Sequence, residues 1–224
     1  MNTPLTLIVA NKNYSSWSMR PWVLMSARGI RFEDHVLKFH TPEWQANVAR
    51  LSPTGLVPVL WEGEPGKGFA TWDTLAIAER LHDLFPSAGV WPADDRQRAR
   101  ARSVTAEMHS GFRAVRSSMP MNIRGRYPGK GMNEAVAADI ARISAIWSAA
   151  EGPYLFGDFC AADAFYAPVA TRFVTYGVEL AGTAADYHRR LLEAPAVQAW
   201  SRDALEEKEF VAEDEPYATD PSAP

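Results

Sequence analysis

The sequence contains a single cysteine, Cys160, in 224 residues. One cysteine excludes an internal disulfide and any zinc site built on a cysteine cluster. The five histidines are scattered and lack the close spacing of metal-binding pairs, so we expect no metal cofactor. A lone cysteine is most often a small buried residue, and we interpret Cys160 in this way.

Basic residues are also fewer than acidic ones. The sequence has 23 Lys and Arg and 27 Asp and Glu, which gives a formal net charge of -4. Without a basic run, a surface that neutralises nucleic-acid phosphates is not expected. No apolar stretch approaches the roughly 18 residues of a membrane span, and no basic segment precedes the short apolar run near the N-terminus. We therefore predict a cytoplasmic protein that binds neither nucleic acid nor membrane.

The sequence pattern changes near residue 86. Before it, apolar β-forming runs alternate with amphipathic stretches in the order β-α-β-α-β-β-α over residues 1–85. Pro, Gly and Ser then cluster at 86–94, which we interpret as a linker. From 95 to 212 strand signals vanish, and helical periodicity predicts an all-helical domain with one helix across 95–119. The acidic, Pro-rich end, 213–224, is predicted to be a flexible tail.

Two neighbouring serines, Ser15 and Ser16, precede the first predicted helix. The free N–H groups and the dipole at a helix N-terminus favour an anion in front of it. A serine hydroxyl there can donate to a bound thiolate and lower the thiol pKa from about 8.5. A drop of about two units needs roughly 2.7 kcal/mol, which one hydrogen bond to a charged acceptor and the helix end supply. Helix capping is the alternative role.

A second motif, Val57-Pro58, lies at the start of the third apolar run. Proline cannot donate to a sheet ladder, so its position before a strand needs a reason. A cis peptide would turn the Val57 backbone N–H and C=O outward, where a peptide-like ligand can pair with them as an added strand. An ordinary trans proline at a strand entry is the alternative.

A third motif, Asp73-Thr74, lies at the predicted N-terminus of another helix. A carboxylate beside a hydroxyl at such a position can hold an amino-acid head group. Asp73 would face the ammonium, and Thr74 with its backbone N–H would face the carboxylate. Capping alone also explains both residues.

In their order along the chain, these motifs resemble those of the cytosolic glutathione transferases. Ser15-Ser16-Trp17-Ser18-Met19-Arg20 is similar to the Ser-Ser-Cys-x-x-Arg signature of the zeta class, which includes maleylacetoacetate and maleylpyruvate isomerases. The resemblance covers about residues 5–212. It implies a thioredoxin-like N-terminal domain, an all-helical C-terminal domain, glutathione as cosubstrate and a homodimer.

The resemblance also assigns roles to single residues. Ser15 would activate the glutathione thiol, with Ser16 as its competitor, and Trp17 and Arg20 would complete that side of the glutathione site. Trp17 stands where the zeta class has cysteine, a departure that weighs against the isomerase activity of that class and leaves the Ser15 role intact. The other predicted glutathione contacts are Val57, Pro58, Asp73 and Thr74.

On the substrate side, the helix predicted over 95–119 carries Met108, Phe112, Arg113 and Arg116. Met108 and Phe112 are four residues apart, as are Phe112 and Arg116, so rings and guanidinium groups are predicted to line one helix face. Arg113 or Arg116 would attract an acidic substrate. Solvated arginines on a helix surface are the alternative, and Arg124 and Arg126 in a predicted loop carry the same two interpretations.

Residues 156–163 resemble the capping motif that begins the core helix of the second domain in this family, with Asp163 as its buried carboxylate. Cys160 replaces the usual Ser or Thr of that motif, so the helix start is expected to depend on Asp163. The predicted function is a glutathione transferase that activates the thiol for attack on a small electrophile. The alternatives are a glutathione-dependent cis–trans isomerase and a non-catalytic binding or regulatory module.

Overall fold

The computed structural model describes residues 3–218. Its N-terminal part contains a four-stranded mixed sheet in the order β2-β1-β3-β4. β1 and β2 are parallel, whereas β3 is antiparallel to both β1 and β4. The strand bounds are β1 Leu5–Val9, β2 Glu33–Val36, β3 Val59–Glu62 and β4 Phe69–Trp72.

Three helices cover the two faces of this sheet, because alternate residues along its strands point to opposite faces. Leu7, Val9 and Leu60 point into the main core together with two of the helices, while Ile8, Val59 and Trp61 form a smaller core on the opposite face. The predicted thioredoxin-like domain is confirmed. The helices are α1 Ser16–Ala27, α2 Pro42–Leu51 and α3 Thr74–Leu84.

The rest of the described chain is helical, as predicted. α7 is buried along almost its whole length and packs against both α1 and α4, so it joins the two parts of the molecule. None of the helices formed by residues 3–218 has the length and apolarity to cross a membrane. The helices are α4 Asp95–Ser110, α5 Arg113–Ser118, α6 Glu134–Ser148, α7 Ala161–Tyr176, α8 Gly182–Glu193 and α9 Pro195–Glu206.

The single helix predicted across 95–119 is wrong. The first helix ends at Ser110, where the Gly111 N–H donates to the Glu107 carbonyl at 2.8 Å. Phe112 then adopts a left-handed conformation with φ 53° before α5 begins. This turn places the Phe112 ring in the core near Tyr166, with the ring centroids 6.5 Å apart. The free energy gained by burying the Phe112 ring is therefore larger than that lost by interrupting the helix.

The segment 86–94 is packed on the molecule. Val90 and Trp91 are buried, and the Val90 carbonyl accepts a hydrogen bond from the Ala161 N–H at 2.9 Å, where α7 begins. At the same helix start, Asp163 accepts hydrogen bonds from the backbone N–H groups of Leu155 at 3.0 Å and Cys160 at 2.8 Å. The carboxylate thus fastens the preceding loop to the helix.

The flexible tail predicted from residue 213 is wrong for residues 213–218, and residues 219–224 lie outside the described chain. Glu215 is buried and accepts hydrogen bonds from Tyr14 Oη at 2.6 Å, Asn122 Nδ2 at 2.7 Å and Tyr127 Oη at 2.9 Å. The acidic composition of this segment reflects carboxylates with partners in the folded protein. Glu215 therefore connects residues 213–218 to the loop that precedes α1.

Candidate functional site

The Ser15 side chain caps α1 and is part of a buried hydroxyl pair. Its Oγ accepts the Ser18 backbone N–H at 3.3 Å, and its hydroxyl donates to Ser18 Oγ at 2.8 Å. Ser18 Oγ in turn accepts the backbone N–H of Ala10 at 3.1 Å. The predicted catalytic serine therefore also performs the capping role.

Ser16 is the first residue of α1 and is 8% exposed. Within residues 3–218 its hydroxyl has no hydrogen-bond partner, so it is free to meet a ligand. Ser15 and Ser16 both line the same cavity, so this geometry does not choose between the two hydroxyls. The N-terminus of α1 adds its N–H groups and dipole at this point.

Tyr14 lies next to these serines and carries a third hydroxyl. This hydroxyl donates to Glu215, and burial together with that carboxylate raises the pKa of Tyr14 to about 12. The Tyr14 hydroxyl proton is therefore used in the hydrogen bond to Glu215 and is not available to a ligand. The hydroxyls that remain for a ligand in this loop belong to the two serines.

A cavity of about 630 Å³ lies between the sheet domain and the helical domain. Besides the serines, its sheet-domain wall is largely apolar and its helical-domain wall is polar and cationic. The first wall includes Trp17, Phe39, Trp44, Leu56 and Val57, and the second includes Ser110, Arg113, Arg116, Ser117 and Arg172.

A smaller pocket of about 270 Å³ adjoins this cavity and shares Trp17, Leu56 and Val57 with it. The Val57–Pro58 peptide bond is cis, as predicted. Within the described residues, the Val57 N–H has no hydrogen-bond partner. Asp73 and Thr74 line the smaller pocket, so the three sequence motifs lie around two neighbouring pockets that share part of their walls.

Asp73 and Thr74 contact a histidine of the helical domain. The Asp73 backbone has φ 70°, an unusual conformation for a residue other than glycine, and its Oδ1 accepts the Leu75 N–H at 2.8 Å. Asp73 Oδ2 lies 3.3 Å from His109 Nε2, and Thr74 Oγ1 lies 3.4 Å from His109 Nδ1. A neutral imidazole with its proton on Nε2 satisfies both contacts.

Arg20 lies behind Trp17 and is almost completely buried. Its guanidinium stacks over the Trp17 ring at 4.2 Å and over Phe165 at 5.0 Å, whereas Nε and Nη1 have no partner among the described residues. Burial, and then the like charges of Arg116 and Arg172, lower the pKa of Arg20 to about 9. The structure thus places Arg20 as a support for Trp17.

Of the predicted substrate residues, Arg113 and Arg116 line the cavity. Met108 and Phe112 lie in the hydrophobic core, because the break between α4 and α5 removes the common helix face expected for them. They do not line the cavity, and we withdraw them as substrate contacts.

Sequence reasoning did not assign site roles to His109, Arg172 or Asp214. His109 lies at the end of α4, where nothing local indicates its contact with Asp73. Arg172 could have been found from the sequence, because it is the single basic residue of α7 and most of its neighbours in this helix are apolar. Asp214 belongs to the segment predicted to be flexible, yet it lines the cavity.

Residues 14–84 match the family model of the glutathione S-transferase N-terminal domain. A stretch of 64 residues is 36% identical to dichloromethane dehalogenase of Methylorubrum extorquens, covering 28% of this chain and 21% of that protein. The chain thus aligns with about a fifth of the length of that relative.

Solved structures are similar over most of the chain. A glutathione transferase homologue from Burkholderia (BGR1), with bound glutathione, has a TM-score of 0.69 and 26% identity, covering 91% of this chain and all of that one. Glutathione transferase Omega 2C from Trametes versicolor has a TM-score of 0.69 at 19% identity, covering 88% and 93%. Ure2p in complex with glutathione has a TM-score of 0.64 at 17% identity, covering 90% and 94%. The domain match places residues 14–84 with the N-terminal domain of glutathione S-transferases, and the structures show that the chain shares the glutathione transferase fold. Neither comparison singles out the zeta class.

Proposed function

We propose that this protein binds glutathione and activates its thiol for attack on a small electrophile. The main observation behind this proposal is a pair of neighbouring pockets with Val57 in the wall of both: Asp73 and Thr74 line one, and Ser15 and Ser16, at the N-terminus of α1, line the other. Glutathione bound in two structures of similar fold supports this ligand.

In this proposal the γ-glutamyl end of glutathione occupies the smaller pocket. Asp73 faces the ammonium group and Thr74 faces the carboxylate. The Val57 backbone N–H and C=O pair with the cysteinyl backbone, as in the addition of a strand to a sheet. The thiol then reaches the junction with the larger cavity, where Ser15 and Ser16 lie.

At the sulfur, the hydroxyl pair supplies the donor. When the Ser18 hydroxyl turns its proton towards Ser15 Oγ, the Ser15 proton becomes free to point at the sulfur. A thiolate accepts that hydrogen bond, and the thiol proton leaves to solvent. In a substitution, the sulfur lone pair forms the new S–C bond while the leaving group departs with the electrons of its own bond.

The isomerase remains a second candidate on the strength of Arg113 and Arg116 in the cavity wall. Trp17, in the place of the zeta-class cysteine, weighs against it. The homodimer and the cytoplasmic location stay predictions. A panel with an aryl halide, an organic hydroperoxide and a maleyl diketo acid separates conjugation, reduction and isomerisation.

Calorimetric titration with glutathione tests the first step. Binding with a Kd of about 1 mM or tighter is expected, and absence of binding would overturn both enzymatic candidates. Asp73→Asn, which keeps a helix-capping side chain, should weaken binding about tenfold by removing the charge opposite the ammonium. Asp83→Asn, on the exposed side of α3, is the matched control and should bind like the wild type.

A further inference from the structure

The helical-domain wall of the large cavity has more positively charged side chains than carboxylates to neutralise them. Arg113, Arg116 and Arg172 line this wall, and among the described lining residues Asp214 is the single carboxylate. Burial raises the pKa of Asp214 to about 6, against the opposing effect of Arg172, so this carboxylate is mostly ionised at pH 7 and offsets one of the three positive charges.

Arg172 is 4% exposed and only partly satisfied by the protein. Its Nε donates to the Met119 carbonyl at 2.8 Å and its Nη1 to the Pro168 carbonyl at 3.3 Å. Within residues 3–218, Nη2 has no hydrogen-bond acceptor. A buried guanidinium is ordinarily paired, because an unpaired buried charge is costly. Burial, followed by the like charge of Arg116, lowers the pKa of Arg172 to about 10.

Arg116 and Arg113 extend this charge towards the cavity mouth. Arg116 donates to the His109 carbonyl at 3.1 Å, and its guanidinium lies 4.8 Å from the Trp17 ring centroid. Burial and then the like charge of Arg113 lower the pKa of Arg116. Arg113 is exposed and has no hydrogen bond or ion pair within the described chain. An anion bound here would relieve the repulsion among the three groups.

We propose that this wall binds the carboxylate of the second substrate, so that the protein acts on small electrophiles that carry a carboxylate group. Arg172 Nη2 supplies the donor that the described protein leaves without an acceptor, and Arg116 and Arg113 supply the surrounding charge. Phe39, Trp44 and Leu56, on the opposite wall, fit the apolar body of such a molecule. The inference rests on the proposed function. It does not concern glutathione itself, whose glutamyl end is assigned to the smaller pocket.

A pair of probes that differ by one charge tests the proposal. 4-Chloro-3-nitrobenzoate and its methyl ester present the same chloronitrophenyl ring with and without a negative charge. Because the ester activates the ring more than the carboxylate does, each kcat/KM is divided by the rate constant of the uncatalysed reaction of that probe with glutathione. The wild type should favour the acid over the ester by at least about tenfold in kcat/KM. Arg172→Met should reduce kcat/KM for the acid about ten- to hundredfold and that for the ester less than about twofold. Arg113→Gln should give a severalfold loss for the acid, and Arg189→Gln, on the outer face of α8, is the charge-matched control.

A binding measurement keeps the test independent of turnover. 3-Nitrobenzoate and its methyl ester are titrated into wild type, Arg172→Met and Arg113→Gln, with and without glutathione. The proposal is supported if the wild type binds the anion more tightly than the ester and if both variants bind the anion less tightly than the wild type does. This holds even if glutathione does not bind. Equal affinities for anion and ester in the wild type overturn it while leaving glutathione binding intact. The proposal is also overturned if Arg172→Met loses its affinity for glutathione and keeps its affinity for the anion. If Arg172→Met does not fold, Arg113→Gln decides by the same criteria.

Discussion

The Ser15 hydroxyl donates to Ser18 Oγ at 2.8 Å, and Ser18 Oγ also accepts the Ala10 backbone N–H at 3.1 Å. Both groups therefore donate to Ser18 Oγ, and Ser15 presents its own proton to a thiolate only after the Ser18 hydroxyl turns to donate to Ser15 Oγ. Ser15 and Ser18 are both buried, which shields the pair from competing water. The pair holds the Ser15 oxygen in one place, whereas the Ser16 hydroxyl has no such partner within residues 3–218.

Ser15→Ala should raise the apparent pKa of the bound glutathione thiol by about one to two units, since it removes one hydrogen bond to a charged acceptor. The thiolate absorbance of the complex, followed against pH, measures this shift. The variant should also lose about 1 kcal/mol of unfolding free energy, because Ser15 is the N-cap of α1.

Two further variants separate activation from capping. Ser15→Thr keeps a hydroxyl and a cap, so it should restore most of the lowered thiol pKa. Ser16→Ala should leave the thiol pKa close to that of the wild type. The opposite pattern, with the shift in Ser16→Ala alone, would move the activating role to Ser16.

The N-terminal domain is predictable from sequence because its signals are local. Ser15 caps α1, Asp73 caps α3, and Pro58 precedes β3, each within a few residues of the element it marks. A cap or a strand entry is decided mostly by neighbouring residues. This is also why the serine pair, Val57-Pro58 and Asp73-Thr74 were found before their proximity was visible.

The features that sequence reasoning missed depend on partners far apart in the chain. Glu215 belongs to an acidic segment typical of a tail, yet Tyr14, about 200 positions earlier, provides one of its donors. The break at Phe112 arises from core packing against Tyr166, which no local periodicity records. Arg172 faces the cavity because α7 crosses it, a consequence of tertiary packing alone.

Glu215→Ala should destabilise the protein by about 3 kcal/mol, since it leaves three donors without their charged acceptor. These donors are Tyr14, Asn122 and Tyr127. Urea denaturation gives the change in unfolding free energy. Glu213→Ala is the matched control, because Glu213 pairs with His40 at the exposed surface and should contribute less than about 1 kcal/mol. Equal losses in the two variants would mean that the segment is not anchored through Glu215.

Asp163→Ala should cost at least about 3 kcal/mol, because two backbone N–H groups and the Tyr187 hydroxyl lose their acceptor. Cys160→Ser tests the neighbouring position in the same motif. Serine is a better N-cap than cysteine, so this variant should be as stable as the wild type or gain up to about 1 kcal/mol. A larger loss in Cys160→Ser than in Asp163→Ala would mean that packing of the buried thiol, and not the Asp163 contacts, stabilises this helix start.

The contact between His109 and Asp73 predicts that glutathione affinity falls as the solution becomes acidic. Burial, with Arg20 and Arg116, lowers the pKa of His109 below 6.5, although Asp73 opposes this. The imidazole is therefore neutral at neutral pH and gains its proton as pH falls through that lowered value. The imidazolium then pairs with Asp73 across the 3.3 Å contact and competes with the glutamyl ammonium for the same carboxylate.

Calorimetric titration with S-methylglutathione from about pH 7.5 to about pH 5.5 measures this competition, because this ligand lacks the thiol, whose lowered pKa in the bound state would otherwise fall in the same range. The wild type should lose affinity across this range, whereas His109→Gln should lose clearly less. Asp214 lines the neighbouring cavity, and its pKa of about 6 lies in the same range, so Asp214→Asn is the control and should keep the wild-type dependence. If His109→Gln weakens as steeply as the wild type and Asp214→Asn does not, the dependence belongs to Asp214, and the histidine contact serves only to join the two domains.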